Sequence, residues 1–232
     1  EALQKELAEE GIETDQIPGY PDALRLRERG NVFRTQAFRN GLFEVQDAAS
    51  QLVAPFLQAE PGMRVIDACA GAGGKTLHLA ALMENKGQLL ALDIYDGKLK
   101  ELKKRAKRAG AFNIETRLIT SSKVIKQLSN TADRVLIDAP CTGLGVLRRN
   151  PDAKWKLQPE FLQEVCQTQQ DLLLQYSSML KRGGQMVYAT CSILPDENEH
   201  QVTTFLKSTA GVDFQLLEER HVFPSREGFD GF

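Results

Sequence analysis

Three apolar runs in this chain end on aspartate: Val65-Ile66-Asp67, Leu89-Leu90-Ala91-Leu92-Asp93 and Val135-Leu136-Ile137-Asp138. None alternates polar with apolar residues, so each expects apolar packing on both of its faces. Between them lie segments of helical spacing, such as Leu99, Leu102, Ala106 and Ala109 on one face. Buried strands alternating with helices read as an α/β chain, a doubly wound and mostly parallel sheet covered on both sides. The order is a strand over 64–68, a glycine-rich turn, a helix to 83, a strand over 88–93 and a helix. A weak strand over 113–119 and a strong one over 134–138 follow. A helix over 160–180 then ends at Gly183-Gly184 and feeds a strand over 185–190, before a helix over 196–207 and a short strand over 213–217. Ligands of such sheets bind beyond the carboxyl ends of the strands. Asp67 with the glycine turn, Asp93, Asp138 to Cys141, and Thr190-Cys191 all stand at such ends and converge on one crevice.

The chain has 232 residues, room for one domain with a small addition. Residues 1–45 read as an N-terminal appendage: a helix over 1–11, then breaks at Pro18, Gly19 and Pro21. Residues 46–232 form the main domain, entered by a turn from Gly41 and a helix from Asp47. The chain opens on Glu1 and closes on Gly228-Phe229-Asp230-Gly231-Phe232, the entrance to a strand, so it reads as trimmed. No apolar run approaches the ~18–20 residues that span a membrane. The net charge of −2 neither demands nor excludes nucleic acid, since a local basic patch can hide in a balanced total. Cys69, Cys141, Cys166 and Cys191 are too widely spaced for a paired-cysteine zinc site, so no metal is expected. The thiols read as reduced, the compartment as cytoplasmic and the protein as a monomer.

The turn Cys69-Ala70-Gly71-Ala72-Gly73-Gly74-Lys75-Thr76 nearly fits two phosphate motifs and fails both. A P-loop needs glycine where Cys69 stands. A dinucleotide fingerprint from Gly71 and Gly73 needs glycine or alanine at Thr76. A nucleoside cofactor without phosphates fits better, its charged amino-acid tail approaching a glycine-cleared backbone and its carboxylate meeting the helix N-terminus. Asp93, ending the next strand about twenty residues on, suits the two ribose hydroxyls.

Asp138-Ala139-Pro140-Cys141 and Ala189-Thr190-Cys191-Ser192 put two cysteines just past two strand ends. Packing cysteines belong within strands; just past the ends, beside Pro140 or between two hydroxyls, burial is less natural. One reaction that asks for such a thiol is methylation of cytosine carbon 5. That carbon is a poor nucleophile until a thiolate adds at carbon 6 and makes the ring an enamine. The base must be flipped out and its N3 edge held. Chemistry alone leaves open which cysteine attacks.

With these motifs the chain resembles the Nop/Sun family of RNA cytosine-5 methyltransferases, which includes bacterial ribosomal RNA enzymes. The resemblance rests on Val45-Gln46-Asp47-Ala48-Ala49-Ser50-Gln51, the Cys69–Lys75 turn, and Asp138-Ala139-Pro140-Cys141 with Gly143 and Arg148-Arg149-Asn150-Pro151. It rests also on Tyr188-Ala189-Thr190-Cys191-Ser192, and runs from about Gly41 to the last glycines. It implies a class I, Rossmann-like methyltransferase fold and S-adenosylmethionine as cofactor. The implied substrate is RNA, ribosomal first and transfer RNA second. It implies Cys191 as nucleophile, Cys141 as the residue that assists product release, Asp138 at the cytosine edge and cofactor, and Lys75 near the reaction centre. The implied cofactor pocket is Cys69, Ala70, Gly71, Ala72, Gly73, Gly74, Lys75, Asp93, Lys98, Thr120, Asp138 and Pro140. DNA cytosine methyltransferases attack from the proline–cysteine motif, so the presence of both cysteines speaks for RNA.

The chain departs from the family pattern at three points. Gly71-Ala72 replaces alanine-proline. Lys98 stands where arginine is common, keeping charge but losing a bidentate fork. Ile119-Thr120-Ser121 replaces the acidic residue after the third strand, leaving a hydroxyl or backbone group for the adenine. Arg34, Arg39, Gln46, Arg148 and Arg149 are the expected RNA contacts, the last two following the catalytic loop where phosphates pass. Lys98, Lys100, Lys103, Lys104, Arg105, Lys107 and Arg108 read as a solvated helix face. Trp155 reads as packing before stacking, and His78, His200 and His221 receive no role. The rival readings are a catalytically inactive RNA-binding ribosome-assembly factor and a methyltransferase acting on DNA or a small molecule.

Overall fold

The computed structural model describes residues 1–232, the side chains of Lys156 and Glu227 excepted. Helix α1 (Ala2–Glu9) leads into an antiparallel hairpin, β1 (Thr14–Ile17) and β2 (Tyr20–Leu26). The sequence reading treated Pro18 and Gly19 as breaks. They are instead the hairpin turn, with Gly19 at φ +82°, as a proline-then-glycine pair demands.

The aspartate-terminated runs are three strands of one sheet: β3 (Arg64–Asp67), β4 (Gln88–Asp93) and, after β5 (Ile114–Leu118), β6 (Ala132–Asp138). With β7 (Leu180–Ala189) they form a five-stranded sheet in the order β5-β4-β3-β6-β7, every pair parallel. The order reverses between β3 and β6, the switch point at which open α/β sheets bind ligands. Helices α2 (Gly74–Leu82), α3 (Asp96–Arg108) and α4 (Pro159–Tyr176) make the principal crossovers, and α5 (Glu199–Leu206) follows the last strand. This is the Rossmann-like, class I architecture expected.

Successive strand residues serve opposite faces. Ile66, Leu90, Leu92, Val135 and Ile137 pack with Leu173, Tyr176 and Phe205. Val65, Leu89, Leu136 and Val187 pack with Leu57, Leu79 and Met83 on the other side. Each fully buried aliphatic side chain contributes about 1.5–3 kcal/mol of transfer free energy. The apolar strands are therefore stable only when covered twice.

Four expectations fail locally. The helix expected from Asp47 is two single turns, Ala48–Gln51 and Val53–Phe56, because Pro55 lacks the N–H that would continue the ladder. The helix before β7 ends at Tyr176, and Gly183-Gly184 lies inside the strand. There Gly183 takes φ +78° and an added Cβ on Gly184 would stand 2.9 Å from Asp133 O. The helix over 196–207 breaks at Asn198 (φ −119°, ψ −98°) into a 3₁₀ turn, Pro195–Glu197, and α5. Residues 213–217 form no strand; no neighbouring strand pairs with them among the described residues, and Leu216 and Leu217 are exposed. At the other reading of a strand entrance, Phe232 exchanges two backbone bonds with Val222, at 2.7 and 3.1 Å.

The basic face of α3 is only partly solvated. Arg105 and Arg108 turn inward onto Glu44, Arg105 Nη2 at 3.0 Å, and Arg105 Nη1 also donates to Ala72 O at 2.8 Å. These bonds tie the segment before Asp47 to the glycine turn. Replacing Glu44 with alanine leaves two partly buried guanidinium groups without their carboxylate. The expected loss is about 2 kcal/mol, below the ~3–5 kcal/mol of a fully buried pair. Urea denaturation of Glu44→Ala against wild type measures it.

Candidate active site

The glycine turn follows β3 and is fastened across the sheet. Ala70 N donates to Leu92 O and Gly71 N to Asp93 Oδ2, both at 2.8 Å. Gly73, at φ +90°, caps α2 and lies so close to α3 that a Cβ would stand 2.5 Å from Leu102 Cγ. Gly71, at φ +55°, has open space where a Cβ would point. The first turn of α2 carries no side-chain cap, so its N–H groups remain a ready anion site. Asp93 is buried, and each of its oxygens accepts one backbone N–H, from Gly71 and from Tyr95 (2.8 Å). Each keeps a lone pair for a hydroxyl.

This donor set fits the ribose and amino-acid tail of a nucleoside cofactor. Ala70, Gly71, Ala72, Gly73, Gly74 and Lys75 come together there with Asp93. Cys69 joins through its backbone, since burial pushes its thiol well above the ordinary range. Lys98 lies over the Tyr95 ring at 4.8 Å. Thr120 is exposed beyond β5, where Ile119 N donates to Asp93 O at 2.9 Å. Gln46, expected at RNA, has its amide nitrogen 3.7 Å from where a Gly74 Cβ would be.

Two further strand ends supply the chemistry. Asp138 ends β6, and Lys75 Nζ reaches across from α2 to its Oδ2 at 2.7 Å. Cys141 follows β6 and Cys191 follows β7, and their sulfurs lie 3.2 Å apart. The Cys191 thiol is held below its ordinary value, first because Cys141 donates to its thiolate. Burial and Asp138 oppose that shift, and Lys75 supports it. Cys141 moves the other way, pushed up first by its bond to Cys191 and then by burial. Cys191 therefore ionises before Cys141.

Three buried polar side chains back these groups, of which only Asp67 stands out in the sequence, as a strand end. Asp67 is buried beneath the turn; burial pushes it up to about 7, opposed by the bond from Thr76 Oγ1 at 2.7 Å. Glu197 and Gln169 are buried behind the cysteines, and Gln169 Nε2 donates to Pro140 O at 2.9 Å. No motif spacing flags them, because they belong to α4 and the turn before α5. Gly145 N donates to Cys191 O at 2.9 Å, and a Cβ on Gly145 would stand 2.8 Å from that oxygen.

The expected RNA contacts divide into two groups. Arg34 and Arg39 are exposed on the appendage. Arg148 and Arg149 instead meet the C-terminal segment: Arg148 Nη1 donates to Gly228 O at 2.7 Å, and Arg149 pairs with Asp230. Trp155 is not packing; it is 76% exposed, with Lys154 Nζ 4.8 Å from its ring centroid. Glu199, Glu219 and His221 approach one another at the surface. Among the described residues no helix is long and apolar enough to cross a membrane.

The family model described as 16S rRNA methyltransferase RsmB/F matches residues 54–232. Ribosomal RNA small subunit methyltransferase B of Klebsiella pneumoniae is 39% identical over 97% of this chain and 53% of its own length. The crystal structure of PH0851 superposes with a TM-score of 0.90 at 33% identity, over 99% of this chain and 54% of that one. NSun6 from Pyrococcus horikoshii, solved with SFG, gives a TM-score of 0.78 at 27% identity, over 90% of this chain and 57% of that one. The chain spans about half the length of the curated relatives it matches.

The sulfur pair predicts a thiol titration. In Cys141→Ala, Cys191 loses the donor that stabilises its thiolate, so its alkylation profile moves to higher pH. Iodoacetamide labelling across pH, read by peptide mass, checks this; an unmoved profile would show that the contact does not set the ionisation.

Proposed function

Because the chain belongs to the RsmB/F family of 16S rRNA methyltransferases, we propose that it methylates carbon 5 of a cytosine in RNA, ribosomal RNA before transfer RNA. The observation that carries this reading is the 3.2 Å contact between Cys141 and Cys191 beside the Lys75–Asp138 pair. S-adenosylmethionine, when bound, supplies an electrophilic methyl group. The glycine turn and the first turn of α2 hold its amino-acid tail, and Asp93 its ribose hydroxyls.

Cys191, the thiol that ionises first, adds to carbon 6 and moves an electron pair toward carbon 5. Asp138 holds the cytosine edge, and Lys75 balances the charge beside it at 2.7 Å. Once carbon 5 carries the methyl group, its proton leaves to a base. The carbon 6–sulfur bond then breaks and returns the Cys191 thiolate. Cys141 assists that release, a role supported by its sulfur contact with Cys191.

An inactive RNA-binding assembly factor has no use for two thiols so arranged beside a lysine–carboxylate pair, and a DNA or small-molecule enzyme needs only one. The four free cysteines support a reducing, cytoplasmic setting. Arg34, Arg39 and Trp155 are the exposed groups suited to RNA phosphates and bases.

The test is a denaturing gel after incubation with cytosine-containing ribosomal RNA and labelled cofactor. Cys141→Ala is expected to accumulate a covalent RNA adduct, whereas Cys191→Ala forms none and transfers no methyl group. Adduct persisting without Cys191 would reassign the nucleophile; no transfer by wild type to any RNA favours the assembly factor. Trp155 is the chain's only tryptophan, so its fluorescence reports one site. Quenching by RNA is expected. RNA binding measured by filter retention without quenching would remove Trp155 from the interface.

A further inference from the structure

Glu197 and Asn198 are consecutive, and each grips a different part of the two cysteine loops. Asn198 Oδ1 accepts from Thr190 Oγ1 at 2.6 Å, and its Nδ2 donates to Ser192 O at 3.0 Å, so it brackets Cys191 from both sides. Glu197 is 0% exposed. Its Oε1 accepts from Ser192 Oγ and Thr142 Oγ1, both at 2.5 Å. Its Oε2 accepts from Thr142 N at 2.8 Å and Gln169 Nε2 at 3.0 Å. Tyr188 OH donates to the Glu197 carbonyl at 2.7 Å, fixing the backbone as well.

Thr142 follows Cys141 in the chain, and Ser192 follows Cys191. One carboxylate therefore joins the residue after each cysteine. A fully buried carboxylate is an expensive way to hold a fold together, because its desolvation is barely repaid and an apolar side chain often serves as well. What it offers instead is four acceptor sites in one rigid group, with charge-assisted bonds that fix direction as well as distance. Glutamine would keep the shape, its oxygen meeting Thr142 N and Gln169 Nε2 and its NH2 the two hydroxyls, which can accept; alanine removes all four bonds.

We propose that Glu197, with Asn198, is the positioning residue that locks the Cys141 and Cys191 loops into one unit and so keeps the two sulfurs in contact. The inference rests on the methyl-transfer reading only for its consequence in turnover. The unit holds both thiols in register while RNA enters, so addition by Cys191 and release aided by Cys141 occur on one base without rearrangement between them. Loosening it is expected to slow both steps, since misplacement by about 1 Å costs roughly a hundredfold in rate.

The test uses phenylarsine oxide, which condenses with two neighbouring thiols to give one arsenic–dithiolate and one water. It needs neither RNA nor cofactor. Wild type is expected to form a Cys141–Cys191 bridge, located by peptide mass, whereas Glu197→Ala yields mainly unbridged thiols at the same reagent concentration. In single turnover, Glu197→Ala is expected to lose about a hundredfold in adduct formation and in release, with KM for RNA unchanged. Ser192→Ala removes only one of the four bonds, and serves if a position-197 variant does not fold. Bridging and both rates at wild-type level in the folded variants would overturn the proposal. Lost bridging in Glu197→Ala, together with no methyl transfer by wild type, would uphold the positioning role and remove the reaction.

Discussion

A parallel sheet buried on both faces leaves one kind of place for polar chemistry, the ends of its strands. Val65 and Ile66, adjacent in β3, serve opposite cores, so neither face has room for a charged group. Polar residues are displaced to the carboxyl edge, where Asp67, Asp93 and Asp138 end three neighbouring strands. The order reversal between β3 and β6 opens the crevice there. The glycine turn enters it from one side, and the two cysteine loops from the other.

That edge was legible in the sequence because two signals coincide on it. Unalternating apolar runs mark the strands, and the residues that break the pattern mark their ends. β4 was bounded correctly because Gly87 and Asp93 are both abrupt changes. The hairpin was not seen, since Pro18-Gly19 joins strands too short and too polar to stand out. The one-turn helices after Asp47 were merged because apolar spacing does not record a missing N–H at Pro55. In the site, motifs located Lys75, Asp138, Cys141 and Cys191. The buried supports Gln169 and Glu197 are ordinary polar residues in sequence, and only packing makes them consequential. The partners of Arg148-Arg149 were hidden for a related reason: local charge says nothing of a carboxylate 81 residues away, at Asp230.

Two thiols in a poorly hydrated crevice cannot both ionise, because each charge would raise the cost of the other. Their 3.2 Å contact turns that conflict into a division of labour. One sulfur keeps its proton and donates it; the other becomes the acceptor. The bond from Cys141 is the main support for charge on Cys191, and Lys75 adds to it. The same lysine is bound to Asp138, which opposes that charge. The balance is therefore sensitive to anything that occupies the Asp138 carboxylate.

The wall of this crevice is completed from both ends of the chain. Phe229 meets the hairpin at Tyr20, with ring centroids 5.1 Å apart. Asp230 N donates to Asp47 Oδ1 at 3.2 Å, Gly231 N to Gly145 O at 2.8 Å, and the Phe232 ring lies 4.8 Å from Lys75 Nζ. A stretch of four residues thus touches the appendage, the turn after it, the catalytic loop and the site lysine. Arg149 belongs to that arrangement, since its pairing with Asp230 compensates a carboxylate buried within it. The two arginines beside Gly145 thus meet the C-terminal segment, while Arg34, Arg39 and Lys154 are exposed elsewhere on the surface.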